Sequence, residues 1–365
     1  MAARKSGETR GAIVRLAHAG LGLQEFAGRA AHVISRAVPF DGVAIVATDP
    51  ATGIPTGKWV DNGITGSAGM RVMEIELNER DVNTLPELVG SGRLAGSMSE
   101  ATGGDLDRSP RHREVMRPHG FGDELRLACV RGSHMWGVIA LHRELGSPDF
   151  AASEVDLLAT LSGAFAEAFQ RTGLHRDAPG SVAGPFDGQP GVLLLDDDDR
   201  VELANAAGTE WLDELRENER GLPLVVGAVA RRARAVAAGN SDGMATARVR
   251  AASGRWALVR GSVISNETRA RTAVTLEPAR KPELAPLVVQ AYGLTERERL
   301  VTERVAQGLS TAAIGRRLHL SSFTVQDHLK AIFGKVGVSN RGELVARLFL
   351  DHYYVGGRLR DPSAE

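Results

Sequence analysis

A single cysteine, Cys129, stands in 365 residues. With no second thiol the chain cannot close an internal disulfide, and such poverty in cysteine is typical of a reducing compartment. Aromatic residues make up 5% and lie scattered, so a platform on which single-stranded bases stack is not supported. No apolar run approaches the length of a membrane span, and Met1 to Arg10 is polar, without the apolar core of a signal peptide. We therefore expect a cytoplasmic protein with no membrane partner. Surplus charge is missing too. The 44 Lys and Arg balance 45 Asp and Glu to a net charge of −1, which excludes a wholly basic nucleic-acid coat.

Catalytic signatures are also wanting. There is no Walker loop, no Gly-x-Gly-x-x-Gly after a strand and no nucleophile elbow. Gly90-Ser91-Gly92 lacks the downstream glycine and the helix that would follow. Of the ten histidines none pairs at metal spacing with cysteine or carboxylate. His112, His119, His134 and His142 cluster in one region; each reads first as a surface or satisfied core residue, with haem ligation as the rival. Cys129, between Ala128 and Val130, reads as a small buried strand residue, with a chromophore-linking or redox-sensing thiol as the rival. No enzyme, cofactor or metal site is expected.

What is present is ample core material, 43% hydrophobic, in a length that allows two to three domains. Residues 1 to about 14 read as a loose tail. A helical pattern starts at Arg15, carries Leu23, Phe26, Ala30, Val33, Ile34 and Ala37 on one face, and ends at Pro39. Gly42–Thr48 is a β-branched strand with a turn after it, and Lys58–Asn62 can return beside it. The stretch 63–122 reads as glycine-broken loops with short helices at Leu85, Leu88 and Met98. Asp123–Val130 and Met135–His142 form a hairpin about Arg131-Gly132. A long helix from Ser153 to Gln170 follows, with Ser153 and Asp156 to start it and Val155, Leu158, Leu161, Phe165 and Phe169 on its stripe. Gly173 to Gly191 is a linker containing Pro179, Pro185, Pro190 and His175. Beyond it, Gly191–Leu195, the acidic run Asp196–Asp199 and Arg200–Ala204 make a hairpin. Helices at Asn205–Leu212 and Val225–Ala237 and strands at Thr246–Arg250, Trp256–Val263 and Thr272–Leu276 complete this part. Pro278, Pro282 and Pro286 mark a second linker.

Helix, hairpin, irregular middle, hairpin and closing helix, with Asp149-Phe150 leading into the last, resemble a GAF domain over residues 15–172. Strand pair, Asn205, Trp211-Leu212, helices and three strands resemble a PAS domain over residues 191–279. The resemblances imply antiparallel-sheet sensor domains that hold a small ligand or a protein partner, or serve in dimerisation. The Asp196–Asp199 run has rival readings: a solvated turn, or the start of a phosphoacceptor receiver domain with Lys281 as its lysine. An enzyme fused to a regulator is a further alternative.

The end of the chain is the most legible. Thr295 and Glu298 form a capping box. Leu300, Val301 and Val305 give an apolar face, and Gly308 suits a left-handed C-cap. Ser310 caps a second helix, with Ile314 and Leu318 inward. Ser321 caps a third, in which Val325, Leu329, Ile332 and Val336 recur at steps of three and four until Gly337. Ser339 or Asn340 caps a fourth, buried through Leu344, Val345 and Leu348. If the apolar stripe of the third helix points inward, Ser322, Gln326, Asp327 and Lys330 point outward. Gln, Asp and Lys on the first turns of such a helix can reach base edges in a major groove. Ser322, Thr324, Arg316, Arg317, Lys335 and Arg341 stand where they could hold phosphates. From Leu294 to Leu350 nine basic residues face five acidic ones, a local excess of +4.

Over residues 290–352 this pattern resembles the LuxR-type helix-turn-helix. The matching residues are Leu294-Thr295, Arg297-Glu298, Gly308-Leu309-Ser310, Ile314, Leu318, Leu320-Ser321, Thr324-Val325, His328-Leu329, Ile332, Lys335-Val336-Gly337-Val338, Arg341 and Glu343-Leu344. The resemblance implies a DNA-binding transcription regulator that acts as a dimer on double-stranded DNA and leaves RNA polymerase open as a contact. Three positions depart from the family pattern. Ala313 removes a cap partner, Gly315 replaces a usual alanine, and Gln326 stands where lysine is common. The expected fold is multidomain α+β: two antiparallel-sheet sensor domains, then an all-α four-helix domain.

Overall fold

The computed structural model describes residues 2–174, 189–216, 221–266, 269–280, 283–284 and 292–347. The chain divides into two compact units, Met1–Pro278 and Ala279–Glu365. Most of the first linker with His175, then Lys281, Pro282, Pro286 and Leu348, lie outside the described residues.

In the first unit, α1 (Ala2–Ala17) and α2 (Leu23–Ser35) precede β1 (Gly42–Thr48) and β2 (Pro55–Asp61). Helices α3 (Gly66–Asn78) and α4 (Leu85–Gly90), strand β3 (Ala95–Ser97) and helix α5 (Met98–Thr102) lead to β4 (Phe121–Arg131) and β5 (His134–Glu144). Helices α6 (Ala152–Ala159) and α7 (Ser162–Leu174) close this half. The sheet order is β2-β1-β5-β4-β3, every pair antiparallel, with Ile45 opposite both Trp59 and Ile139.

Alternation assigns the two faces. Val43, Ile45, Leu125, Leu127, Ile139 and Leu141 are fully buried. On the same side Phe169 of α7 lies so close to Gly137 that a Cβ there would meet its ring at 2.4–2.6 Å. Phe26, Phe165 and Phe169 pack edge-on or tilted above, with centroids 5.9–6.5 Å apart. The opposite face carries Ala44, Val46, Glu124, Arg126, Val138 and His142, which line a cavity. Asp123 ties three segments together: its carboxylate accepts from Ser99 N and Oγ and from Phe150 N. Burial pushes this carboxyl above its ordinary range, against those hydrogen bonds.

Three expectations are corrected here. Residues 2–14 are not a loose tail but most of α1, which buries Ile13 and Ala17 and packs on α7. The helix expected from Arg15 to Pro39 is broken where Gly20 takes φ +66°. The helix expected from Ser153 to Gln170 is two, α6 and α7, and begins differently. Glu154, not Asp156, closes the first turn by accepting from Ala151 N. In addition, α3 runs for 13 residues through the stretch read as loops.

The second half holds β6 (Gly191–Leu195), β7 (Val201–Ala204), α8 (Ala206–Leu215), α9 (Leu224–Ala237), β8 (Thr246–Arg250), β9 (Trp256–Ser265) and β10 (Ala270–Pro278). Its order β7-β6-β10-β9-β8 is again wholly antiparallel. Trp211, Val229 and Val274 centre its core. Asp196–Asp199 form the turn of the β6–β7 hairpin, with Asp196 accepting from Asp198 N and Arg200 N. A receiver domain needs its aspartate at the end of a strand in a parallel, doubly wound sheet, so that reading is set aside. Nor is the turn wholly solvated, since Asp199 pairs with Arg231 and Arg234 of α9. Asn205 caps α8 by accepting from Gly208 N, accepts from Val192 N and donates to Pro190 O. Asn205→Ala is expected to lower stability by about 1 kcal/mol, seen as an earlier urea midpoint with unchanged slope.

The two sheets pack against each other. Asp49, 2% exposed in the β1–β2 turn, accepts from Arg248 N, Nε and Nη2 at 2.8, 2.9 and 2.6 Å. Ile54 from the same turn is part of the core around Trp211. Gly227 of α9 lets Met70 of α3 approach, for a Cβ there would meet its methyl at 2.7 Å.

The second unit is all-α among the described residues: α10 (Glu296–Ala306), α11 (Thr311–Leu318), α12 (Ser322–Val336) and α13 (Arg341–Val345). Ile314, Val325, Leu329, Ile332 and Leu344 are buried together with Val301 and Val305. No helix among the described residues is long and apolar enough to cross a membrane.

Candidate nucleic-acid interface

Each helix start in the second unit is fixed by a side chain named in the sequence. Thr295 and Glu298 close the capping box of α10 from both sides. Ser310, Ser321 and Asn340 accept from Ala313 N, Thr324 N and Glu343 N, so the fourth cap is Asn340 rather than Ser339. At Ala313 the returning half of the box is missing, as its side chain dictates. His319 takes φ +55° to end α11. The turn into α12 then passes so close to Gly315 that a Cβ there would lie 2.7 Å from Leu320 O. Glycine at this position costs helix propensity and in return lets α11 and the turn close up.

With its apolar stripe inward, α12 turns Ser322, Gln326, Asp327 and Lys330 outward, all exposed. Arg316 and Arg317 at the end of α11 are exposed as well. Among the described residues none of these six makes a side-chain hydrogen bond or ion pair. They form one polar surface whose donors and acceptors are uncommitted. Phe323 on the first turn of α12 is 73% exposed; sequence reasoning passed over it because it breaks the polar pattern of that face.

The other three expected phosphate holders have partners inside the unit. Thr324 shares a hydrogen bond with Ser321 Oγ at 2.8 Å. Arg341 Nη2 donates to Leu309 O at 2.9 Å. Lys335 Nζ donates to Glu298 Oε2 at 2.6 Å and to Gly293 O at 3.2 Å, which ties α12 to the start of α10. Burial pulls the Glu298 carboxyl upward, but Lys335 and the Thr295 amide and hydroxyl hold it below its ordinary value.

A carboxylate so depressed stabilises the fold above its unfolded pKa, about 4.3, and that contribution fades as pH falls through the folded value. Lys335→Met is therefore expected to lower stability of this unit by about 1 kcal/mol at pH 7 and to shrink the difference between melts at pH 7 and pH 4.

A short first helix, a capped second, a tight turn and a third helix with an open polar face define the helix-turn-helix class of DNA-binding domains. Within that class the assignment is specific. Residues 293–348 match the family described as bacterial regulatory proteins, luxR family, and this segment is a LuxR-type helix-turn-helix domain. A helix-turn-helix-type regulator of Aeromonas salmonicida is 46% identical over 59 residues, 16% of this chain and 30% of its own. The transcriptional regulatory protein UhpA of Escherichia coli K12 is 46% identical over 56 residues, 15% of this chain and 29% of its own. The monoamine regulon transcriptional regulator of Klebsiella aerogenes is 44% identical over 57 residues, 16% of this chain and 25% of its own. The chain thus spans under a third of the length of these relatives.

Among solved structures, the chromophore-binding domain of a bacteriophytochrome from R. palustris is similar over 45% of this chain and 60% of that one. Identity is 17% and the TM-score 0.28. A red/green cyanobacteriochrome is similar over 40% of this chain and 94% of that one, at 19% identity and TM-score 0.28.

Proposed function

We propose that the chain is a sequence-specific, homodimeric transcription regulator that binds double-stranded DNA through α12. Gln326, Asp327 and Lys330 read base edges: Gln can pair with adenine, Asp can accept from the cytosine amino group, and Lys can donate to guanine. Arg316, Arg317, Ser322 and Thr324 hold phosphates and set register. Lys335 orients α12 through Glu298, Arg341 ties α13 to Leu309 O, and any phosphate contact they make is secondary to that. The observation that carries this reading is the open face of α12: three polar side chains exposed and, among the described residues, unpaired, opposite a stripe that is buried.

The first unit supplies the signal in this reading, by binding a small molecule or a partner protein. An effector shifts such a regulator only by the difference in its affinity for the two states. The wall-lined cavity between sheet, α3 and α9 supports a small molecule. Selection of duplexes from a random pool by the purified full chain tests the DNA reading. The expected result is an inverted-repeat consensus; recovery of unrelated sequences would end the claim of specificity.

A further inference from the structure

The cavity of the first unit measures about 560 Å³, within the range of small-molecule sites. The sheet face contributes Val46, Val60 and Val138, α3 contributes Met70 and Met73, and α9 contributes Ala228. Methionines adapt to irregular ligands. The floor thus belongs to the first sheet and part of the wall to α9 of the second half.

Lys58, which has a partner of its own, apart, the charges in this wall divide in two. Glu76, Glu124 and Arg126 answer one another and Arg111: Arg126 Nη1 is 2.7 Å from Glu76, and Arg111 Nε is 2.8 Å from Glu124. Arg232 of α9 also lines the cavity, half-buried. It has no ion pair or hydrogen bond among the described residues, and its Nε is buried without an acceptor. Its guanidinium rests beside Gly243, which leaves room for it there. A desolvated guanidinium without a counter-charge is costly, and Arg presents a planar fork matched to an acid group. At the sheet end of the same cavity His142 Nδ1 is likewise buried without a partner among the described residues.

We propose that the cavity binds a small organic acid, an apolar body carrying one anionic group, with the anion on Arg232 and a polar atom of the body near His142. Such a ligand touches the first sheet, α3 and α9 at once, so it bridges the two halves of the unit. The inference rests on reading this unit as the sensing part and names the chemistry of what it senses.

Two dyes of one shape test it on the full chain by fluorescence titration. 8-Anilinonaphthalene-1-sulfonate carries the anion; N-phenyl-1-naphthylamine has the same rings without it. The anionic dye is expected to saturate a single site. Arg232→Gln should weaken that binding about tenfold, or about 1.4 kcal/mol, and leave the neutral dye unchanged, while Arg232→Lys keeps part of the preference. Val60→Trp, which fills the cavity, should remove both dyes. The proposal is overturned if the anionic dye finds no saturable site, if Arg232→Gln leaves its affinity unchanged, or if Val60→Trp leaves both bound. A melting curve on each variant identifies loss of fold, and Arg232→Lys then decides alone. The dyes report on residues 2–278, so their failure leaves the DNA-binding reading intact, and a failed duplex selection leaves the dye result standing.

Discussion

Replacing Glu124 by glutamine is expected to destabilise the first unit by about 3–5 kcal/mol, the cost of breaking a buried ion pair from one side. Glu124 is 3% exposed, and Arg111 beneath it 1%. Arg111 touches Glu124 at 2.8 Å and Asp81 at 2.8 Å, while Arg126 reaches Glu76 at 2.7 Å and Glu124 at 3.4 Å. Several of these contacts are charge against charge without an aligned hydrogen bond, so neutralising the acid leaves two buried guanidiniums with too little opposite charge. Arg111→Met alone should be comparably harmful, and the double variant Glu124→Gln with Arg111→Met should recover part of the loss. The size of that recovery measures the coupling. Urea denaturation of the full chain checks it, with the transition of the first unit followed by itself.

The pH profile gives a second measure of the same network. Burial works to raise the Glu124 carboxyl, but Arg111, then Arg126 and the bond to His142, overcome it and hold the group far below the usual carboxylate range. Its folded pKa therefore lies under its unfolded one, about 4.3. The stabilisation is complete above that unfolded value and is lost progressively as pH falls below it. Melting temperature of the wild type should fall steeply in acid, and Glu124→Gln, already lower at neutral pH, should fall less.

None of this network could be read from the sequence. Its members come from positions 76, 81, 111, 124, 126 and 142, and nothing in their spacing says that one sheet face gathers them. The same holds for Asp49 and Arg248, 199 positions apart, and for Arg232, whose significance lies in its lacking a partner among the described residues. What was legible was local. The caps at Thr295, Ser310 and Ser321 act within three residues of themselves, and the strands about Gly42–Thr48 and the β4–β5 hairpin declare themselves by composition and turn. Helix α3 escaped notice because Gly66, Gly69 and its mixed polar face give a weak periodic signal; its one buried residue, Ile75, packs with Met98, Val115, Met116 and Phe121 from distant positions. Helix α1 escaped because its first two turns are polar and its anchor, Ile13, comes late. The outward face of α12 was legible for a geometric reason: once four apolar residues at helical spacing are buried, the side chains between them have no other direction. Which of the basic residues remain free was not legible, since the engagement of Lys335 by Glu298 depends on two helices meeting.

That division among basic residues makes the DNA prediction sharp. Arg316 and Arg317 are exposed and unpaired among the described residues, so in the proposed dimer they offer four phosphate contacts. Each lost contact is expected to reduce the salt slope by about 0.9, so the double change to alanine should flatten log K against log salt by about 3.6. It should weaken every duplex alike. Lys330→Ala should behave otherwise. A base contact adds discrimination of about 1–3 kcal/mol at one position, so the variant should bind the selected site less tightly and tolerate the mismatched base there, with the slope little changed. Gln326→Ala should do the same at a different base pair. Anisotropy titrations of the full chain at several salt concentrations, on the selected duplex and single-mismatch versions, separate these outcomes. If Lys330→Ala weakened matched and mismatched duplexes equally and flattened the slope, Lys330 would be a phosphate ligand. The reading face of α12 would then reduce to Gln326 and Asp327, a pair able to specify adenine and cytosine but with no side chain left to choose guanine.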